Sequence, residues 1–389
     1  MAYNQVDQRA AAVLCMLKTD IHDHSVFRIR LDELHSLVET LGVEVVGEFV
    51  QTRHSPFARY HIGRGKVNEL RRYIDRHGVD LVIFYNILRS SQKLNLIRAL
   101  GCDVVDRYEV TLEIFDRMAS DNLSKLQIEA ARLDKLAPYF KLEASIRYHN
   151  DRPFFRSMGE YAFHSQLREL TRRQARIRNQ IKALKKEKQQ RIRKRRQLGF
   201  PTVCISGFYN AGKTSLFNAL TGDRKPVSPQ PFTTLSSKYQ RRYLDTETTI
   251  LFIDTIGFVI DLDPHLIKSF ELNLEDIRSA DLVLLLLEAT DPKLTLRIKL
   301  LEGIKLLTEL GVSRDRIIVV INKIDAIPEP TEYLSEELNL DRLELPWTTV
   351  SAEERINLDG LLRLITARLK QLKEVGPQPA GEEKVAPVE

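Results

Sequence analysis

Apolar and polar positions alternate along the first hundred residues in a way that predicts strands and helices in turn. Short apolar runs favour buried strands over residues 11–15, 43–47, 79–84 and 103–106. Helix-like segments lie between them, over residues 32–41, 66–77 and 92–100. This alternation is typical of a small parallel α/β sheet, so we predict an N-terminal α/β domain over residues 1–107.

A long helical arm is predicted next, over residues 108–199. Apolar residues recur near helical spacing from Tyr108 to Leu136, and the segment from Ser165 to Gly199 has no proline and no glycine before its end. In this second helix the heptad seam is mostly apolar at its N-terminal end and basic at its C-terminal end. The seam positions are Leu167, Leu170, Gln174, Ile177, Ile181, Leu184, Lys188 and Arg191. We expect the two helices to form an antiparallel hairpin, joined by a loop around residues 138–159.

The pattern over residues 200–372 predicts a Ras-like P-loop domain. An apolar run at 201–206 favours a buried strand, a helix-like run occupies 215–220, and residues 207–214 between them match G-x-x-x-x-G-K-[ST]. Glycines at 207 and 212 allow backbone N–H groups to surround phosphate oxygens at a helix N-terminus. Lys213 is expected to reach the outer phosphates and Thr214 to hold Mg²⁺. A glycine turn with a chance lysine is disfavoured, because the motif and its context agree.

Residues 322–325 (Asn-Lys-Ile-Asp) form a second segment, which is expected to select the base of the bound nucleotide. It follows the apolar run 317–321, and the Asp325 carboxylate can accept hydrogen bonds from the N1–H and 2-amino group of guanine. Adenine offers neither donor and would leave the carboxylate unpaired. Asn322 is expected to tie this loop to the P-loop or to the base, and the stem of Lys323 to cover the ring. The pattern therefore favours GTP over ATP and disfavours an ATP-driven motor.

Further motifs follow in the order that a GTPase requires. The strand over 248–254 ends in D-x-x-G, which assigns Asp254 to Mg²⁺ through water and the Gly257 N–H to the γ-phosphate. The polar loop 222–236 offers Thr233 or Thr234 as a second Mg²⁺ ligand, and we favour Thr234. The strand at 347–352 ends in Ser-Ala, whose backbone can contact the guanine O6. The complete set of expected GTP-binding residues is Gly207, Phe208, Tyr209, Asn210, Ala211, Gly212, Lys213, Thr214, Phe232, Thr233, Thr234, Leu235, Ser236, Asp254, Thr255, Ile256, Gly257, Asn322, Lys323, Ile324, Asp325, Ser351 and Ala352.

Hydrolysis is expected to use in-line attack of water, with Lys213, Thr234 and Gly257 as the catalytic residues. Phe258 stands where many GTPases carry a glutamine that orients water, so slow hydrolysis without an activator is predicted. Asn210 occurs in GTPases that use K⁺ in place of an arginine finger. A role in stabilising the loop is an equal alternative for Asn210.

Composition sets the limits of these predictions. The chain has 389 residues, of which 43% are hydrophobic and 29% charged, as in a globular protein of two or three domains. No apolar run is long enough to cross a bilayer, and the first residues do not form a signal peptide, so a cytoplasmic location is expected. Cys15, Cys102 and Cys204 are far apart and predict core residues rather than disulfides or a metal site. Residues 373–389 are predicted to be a disordered tail.

The net charge of +6 is concentrated in the arm. Residues 165–199 contain 14 Lys and Arg but only Glu169 and Glu187, so this stretch is +12 and the remainder of the chain about −6. A solvated helix face is the ordinary interpretation of such a run. Twelve excess charges would repel one another without a polyanion, and basic residues alternate with Phe154 and Phe155 in the preceding loop, which favours RNA. Gly63-Arg-Gly-Lys66 is interpreted as a helix-start turn in preference to a minor anion site.

Taken together, these motifs resemble the HflX-type GTPases over nearly all of the chain to about residue 372. The segments that carry the resemblance are 61–66, 88–95, 106–115, 127–133, 207–214, 232–235, 254–258 and 322–325. Two positions depart from the family pattern: Gly159-Glu160 is all that remains of a glycine-rich signature, and Glu288 stands where aspartate is commoner.

The resemblance implies GTP hydrolysis with Mg²⁺, binding to the large ribosomal subunit through the basic arm and ribosomal RNA, and a role in ribosome recycling or rescue. A monomer without membrane contact is expected, with K⁺ as a further candidate cofactor. The alternative is a signalling-type switch that recruits a protein effector without RNA.

Overall fold

The computed structural model describes residues 11–150, 158–197, 199–222, 237–244, 249–327, 334, 338 and 340–375. These residues belong to two compact units. The first includes Met1–Lys194 and the segment Ile256–Glu275, and the second includes Arg195–Val227, Lys238–Thr255 and Asp276–Glu389. The mixed α/β architecture predicted from the sequence is confirmed in both units.

The sheet of the first unit is fully parallel, with strand order β2-β1-β3-β4. Its elements alternate along the chain as β1 (Ala11–Lys18), α1 (Val26–Thr40), β2 (Glu44–Thr52), α2 (Arg64–His77), β3 (Leu81–Phe84), α3 (Ser90–Leu100) and β4 (Asp103–Asp106). Each predicted strand is present, and β1 and β2 extend beyond the predicted runs because their ends pair with each other from Ala11–Glu44 to Lys18–Thr52. Side chains of β1, α2 and α3 fill one core, which includes Val13, Cys15, Leu70, Phe84 and Leu96.

Three helices follow β4 along the chain: α4 (Arg107–Met118), α5 (Asn122–Asn150) and α6 (Met158–Gln197). The buried Asp106 fixes the start of α4, because its side chain accepts a hydrogen bond from the Glu109 N–H. The same carboxylate pairs with Lys135 of α5 at 2.6 Å. The carboxyl end of β4 thus positions both helices.

The predicted loop around residues 138–159 is wrong over its first half, since α5 continues through Pro138 to Asn150. A proline inside a helix costs about 3 kcal/mol, and the glycine-free helical sequence on both sides outweighs that cost. Residues 151–157, with Phe154 and Phe155, lie outside the described part of the chain. The single helical stretch predicted for 108–136 is instead two helices, interrupted after Met118.

Helix α6 lies beside α5. Arg173 contacts Glu129 and Arg178 pairs with Asp134 at 2.9 Å, far from the connection between the helices. The predicted seam is the covered side of α6: Ile177 is buried, and Leu167, Leu170, Ile181 and Leu184 are half-buried. Arg191, at the basic end of the seam, is exposed instead.

The second unit contains a six-stranded sheet of order β10-β9-β8-β5-β7-β6, in which only β6 is antiparallel to its neighbour. The strands are β5 (Thr202–Gly207), β6 (Lys238–Tyr243), β7 (Thr249–Asp254), β8 (Leu282–Glu288), β9 (Ile317–Asn322) and β10 (Trp347–Thr349). The helices along this part of the chain are α7 (Lys213–Thr221), α8 (Pro264–Ser269), α9 (Glu271–Ser279), α10 (Lys293–Glu309) and α11 (Leu358–Val375), of which α8 and the start of α9 belong to the first unit. The final helix continues to Val375, beyond the predicted domain end at residue 372. No helix in the described ranges is long and apolar enough to span a membrane.

Candidate nucleotide site

Gly207 allows the loop between β5 and α7 to lie directly against β8 of the sheet. Its φ of 141° favours glycine, and a Cβ there would lie 2.3 Å from the backbone oxygen of Leu286 in β8. Asn210, at the crest of the loop, has a left-handed backbone with φ 62°. The sequence G-x-x-N-x-G thus supplies residues that tolerate the backbone conformations of a curled loop.

Lys213, the first residue of α7, is buried beneath this loop. Its ammonium donates to the Phe208 carbonyl at 2.6 Å. Burial lowers the pKa of Lys213 to about 8; Asp254 opposes this change and Lys299 adds to it. A phosphate placed at the loop would stabilise the charged form, which burial alone disfavours.

Thr214 and Asp254 bring two oxygen ligands together at the ends of neighbouring elements. The Thr214 hydroxyl donates to Asp254 Oδ2 at 3.0 Å, and both residues are buried. Mg²⁺ prefers oxygen ligands and usually keeps waters and substrate phosphates in its shell. A hydroxyl and a carboxylate at this distance fit such an ion. The described residues contain no cluster of three or more His, Cys, Asp or Glu that could hold a metal by itself.

Asn322 connects three of the predicted motifs. Its amide donates to the Ala211 carbonyl at 2.9 Å, and its side-chain oxygen accepts from the Ala352 N–H at 3.0 Å. It also packs against the P-loop glycine, since a Cβ on Gly212 would lie 2.3 Å from Asn322 Nδ2. The structure therefore brings the P-loop, the end of β9 and the Ser-Ala segment into one hydrogen-bonded network.

Asp325 lies beside this network in a short 3₁₀ turn, Ile324–Ala326. Its side chain is exposed, and within the described chain no protein group pairs with its carboxylate. Lys323 instead pairs with Glu288 at 2.6 Å. A fixed amide and an available carboxylate are a suitable arrangement for reading a base. Ser351 is fully buried: its hydroxyl accepts from the Glu354 N–H at 3.0 Å, and its backbone exchanges two hydrogen bonds with Ile356.

Several predicted site residues cannot be placed with this group. Phe232, Thr233, Thr234, Leu235 and Ser236 lie outside the described residues. Thr255 donates its hydroxyl to the Ile205 carbonyl at 2.8 Å and so supports β5. Ile256, Gly257 and Phe258 belong to the segment Ile256–Glu275 of the first unit, where Phe258 is fully buried.

That segment is fixed within the first unit by polar contacts. The Arg107 guanidinium donates to the Ile260 carbonyl at 2.7 Å and to the Asp261 carbonyl. The Glu33 carboxylate accepts from the Ile260 N–H at 3.0 Å, and the Tyr85 hydroxyl donates to the Asp261 carboxylate at 2.7 Å. Desolvation raises the pKa of Tyr85, so its hydroxyl stays protonated and able to donate. The residues directly after D-x-x-G are thereby held by side chains from α1, from α4 and from the residue that follows β3.

Sequence reasoning missed an ion pair beside the P-loop. Lys299 of α10 is buried, donates to the Asp291 carboxylate at 2.6 Å and lies 6.0 Å from the centre of the Tyr209 ring. Burial raises the pKa of Asp291, and Lys299 opposes that change. The only signal in the sequence was a lysine directly before Leu300 and Leu301.

Comparison with known proteins supports both the N-terminal α/β domain and the GTPase domain. Residues 28–116 match the family model for the GTP-binding GTPase N-terminal domain, and residues 202–323 match the model for the 50S ribosome-binding GTPase. The GTPase HflX of Thermofilum pendens is 36% identical over 88% of this chain and 80% of its own. The GTPase HflX of Escherichia coli is 30% identical over 87% of this chain and 79% of its own.

A solved structure shares the fold. The crystal structure of SsGBP in complex with GDP has a TM-score of 0.51 and 24% identity, and the match covers 93% of this chain and 99% of that one. At this identity the likeness supports the architecture alone.

Proposed function

Because this chain belongs to the HflX family of GTPases, we propose that its GTP state controls docking of helix α6 on ribosomal RNA of the large subunit, in ribosome recycling or rescue. The family assignment makes the chain a P-loop GTP hydrolase with a ribosome-binding GTPase domain. The proposal adds three points to this assignment: α6 as the docking surface, ribosomal RNA as its partner, and ribosome recycling or rescue as the physiological role.

The observation that carries the proposal is the charge on α6. Seven of its cations are exposed and have no carboxylate partner among the described residues: Arg168, Arg172, Arg176, Lys182, Lys186, Arg193 and Lys194. At about 100° per residue these positions fall within about 120° of the helix circumference. The apolar seam around Ile177 lies on the opposite side. We name these seven residues the cationic stripe.

The remaining cations of α6 are mostly neutralised. Arg173, Arg178, Lys185 and Arg191 each have a carboxylate within 4 Å. Among the described residues, the stripe is therefore the exposed part of this charge that carboxylates leave unmatched. A row of unmatched cations fits a phosphate backbone, whose neutralisation releases counterions.

The nucleotide chemistry proposed here uses the residues that surround the P-loop. Lys213 and the loop N–H groups would bind the β- and γ-phosphates, Thr214 and Thr234 would ligate Mg²⁺, and Asp254 would hold it through water. When bound, the ion would neutralise charge on the transferred phosphoryl group. Asp325 would read guanine, with Asn322 fixing its loop and the backbone of Ser351 and Ala352 near O6.

Slow hydrolysis in isolation is part of the proposal. Phe258 is fully buried and has no group that could orient water. Activation would then come from the ribosome or from K⁺ bound near Asn210, whose left-handed backbone is compatible with a ligand role. Gly257 would contact the γ-phosphate. When hydrolysis releases that phosphate, the segment that Arg107 and Glu33 hold would lose this contact.

A signalling switch that recruits a protein effector is the second candidate. A protein groove predicts weak dependence of binding on salt, whereas RNA predicts a steep one. The stripe favours RNA. A ribosomal partner would place the chain in the cytoplasm, where we expect a monomer.

Sedimentation tests the proposal. Purified large subunits are pelleted with the full chain and a non-hydrolysable GTP analogue, GDP or no nucleotide. We expect co-sedimentation to be strongest with the analogue and to fall with salt. Failure to pellet under all three conditions at low salt would refute docking, and equal, salt-independent pelleting would refute both nucleotide control and RNA.

A further inference from the structure

We propose that the loop between β2 and α2 is a second RNA-binding surface, one that takes unpaired nucleotides of single-stranded RNA. The surface consists of Arg53, Phe57, Arg59, Tyr60 and Arg64, and we name it the β2–α2 surface. All five residues lie in the first unit and none belongs to α6. The inference does not depend on the proposed function, which concerns the stripe and the nucleotide.

Two aromatic rings form the floor of this surface. Phe57 and Tyr60 have ring centroids 6.4 Å apart and an interplanar angle of 28°, so their faces are nearly parallel. Both side chains are half-buried and thus partly accessible. A half-covered ring with an accessible face can stack on a nucleobase, whatever the identity of the base.

Guanidinium groups surround these rings. Arg53 and Arg64 lie 5.9 and 6.0 Å from the centre of the Phe57 ring, and Arg59 lies 5.1 Å from that of Tyr60. Stacking on a ring leaves the N–H groups of a guanidinium free to donate to phosphate oxygens. The surface therefore combines a stacking platform with phosphate donors.

The charge of this surface is unmatched. No acidic residue occurs between Glu48 and Glu69 in the sequence. Glu69 is occupied by Lys66 at 2.9 Å, and no carboxylate of the described residues pairs with the three arginines. Three like charges gathered around two rings repel one another unless an anion is present.

Most of the hydrogen bonds that hold the loop do not involve these side chains. Phe57 and His61 exchange two backbone hydrogen bonds of 2.8 Å, and the Gln92 amide donates to the Phe57 carbonyl at 3.2 Å. The Gly63 N–H is bound by the Gln51 side chain at 2.8 Å. Of the five surface side chains, Arg53 also bonds within the loop, where its Nε donates to the Ser55 carbonyl at 3.4 Å; the guanidinium groups of Arg59 and Arg64 and the two rings remain available to a ligand.

Double-stranded RNA is a poorer fit, because its bases are stacked on one another and its grooves present phosphates and hydroxyls. A protein partner is disfavoured, because none of the exposed large hydrophobic residues in the described part of the chain lies within residues 53–64. Unpaired nucleotides use both the rings and the arginines.

Photo-crosslinking to a 4-thiouridine oligonucleotide of about twelve residues tests the inference on the full chain. We expect crosslinks within residues 53–64, identified by mass spectrometry, in addition to crosslinks on α6. The variant Arg59→Gln/Arg64→Gln should reduce the first set by roughly five-fold at 0.1–0.2 M salt, as expected for two lost phosphate contacts. Equal concentrations of oligonucleotide and protein in every sample make the yields within residues 53–64 directly comparable, whether or not α6 is crosslinked.

The matched control is Arg72→Gln/Arg76→Gln, which removes the same charge from exposed positions further along α2. Crosslinking confined to α6, equal loss in both variants, or equal competition by a duplex would overturn the inference. Unchanged GTP binding and thermal unfolding confirm that each variant is folded. Ribosome sedimentation is scored separately, so failure of ribosome docking leaves this result intact.

Discussion

The cationic stripe of α6 gives a quantitative prediction. Four of its seven members are replaced by glutamine: Arg168, Arg172, Arg176 and Lys182. All four are exposed and have no carboxylate partner in the described chain, so folding stability should change by less than about 0.5 kcal/mol for each. Binding to the large subunit should weaken and become much less sensitive to salt.

The size of the effect follows from counterion release. Each neutralised phosphate contributes about 0.7–0.9 to the slope of log affinity against log salt, so four lost contacts should lower the slope by about 3. Between 50 and 200 mM salt, the affinity of the natural chain should fall roughly 50- to 150-fold more than that of the variant.

The assay is sedimentation of labelled protein with purified large subunits and a non-hydrolysable GTP analogue. Sodium chloride is varied over a fixed potassium concentration, so that a K⁺ requirement does not enter the slope. The matched control removes four exposed cations from α10 and α11: Arg297, Lys305, Arg363 and Lys370. An unchanged slope in the stripe variant, or an equal drop in the control, would refute the assignment of the stripe to RNA.

Three further outcomes are expected. Asp325→Asn should lower GTP affinity roughly 100-fold or more and create affinity for xanthosine triphosphate, measured by calorimetry; unchanged GTP binding would contradict the base-reading role. Gly207→Ala should destabilise the fold by roughly 1–3 kcal/mol, because of its φ of 141° and the approach of Leu286, and denaturant unfolding with Gly222→Ala as the comparison measures it. Burial raises the pKa of Cys15 to about 12 and that of Cys102 to about 11, so iodoacetamide at pH 8 should leave both thiols unmodified in the native chain and alkylate them in guanidinium; rapid reaction of Cys15 in the native chain would contradict its place in the core.

The sequence was sufficient where local pattern and tertiary packing agree. The strand–loop–helix around Lys213 and the alternating elements of the first sheet form where the apolar runs indicate, because a parallel strand is buried on both faces. The seam of α6 could also be predicted, because Ile177 and its apolar neighbours repeat at helical spacing.

The sequence was insufficient where a long-range contact decides. Pro138 favours a loop locally, yet the helix continues on either side of it. Nothing near Asp261 in the sequence indicates that Arg107 and Tyr85 will hold it. The Lys299–Asp291 pair likewise depends on how α10 packs, and a single buried lysine gives no periodic signal.

The contacts of Arg107 also set an order of events during synthesis of the chain. Its guanidinium is buried against carbonyls that lie 153 and 154 residues later in the sequence. At about 5–20 residues per second, those carbonyls emerge roughly 8–30 s after Arg107 itself. For that interval the guanidinium lacks these two carbonyl acceptors and is hydrated, with the Tyr85 hydroxyl as an acceptor from the N-terminal region, so the first unit is completed only after translation passes residue 261.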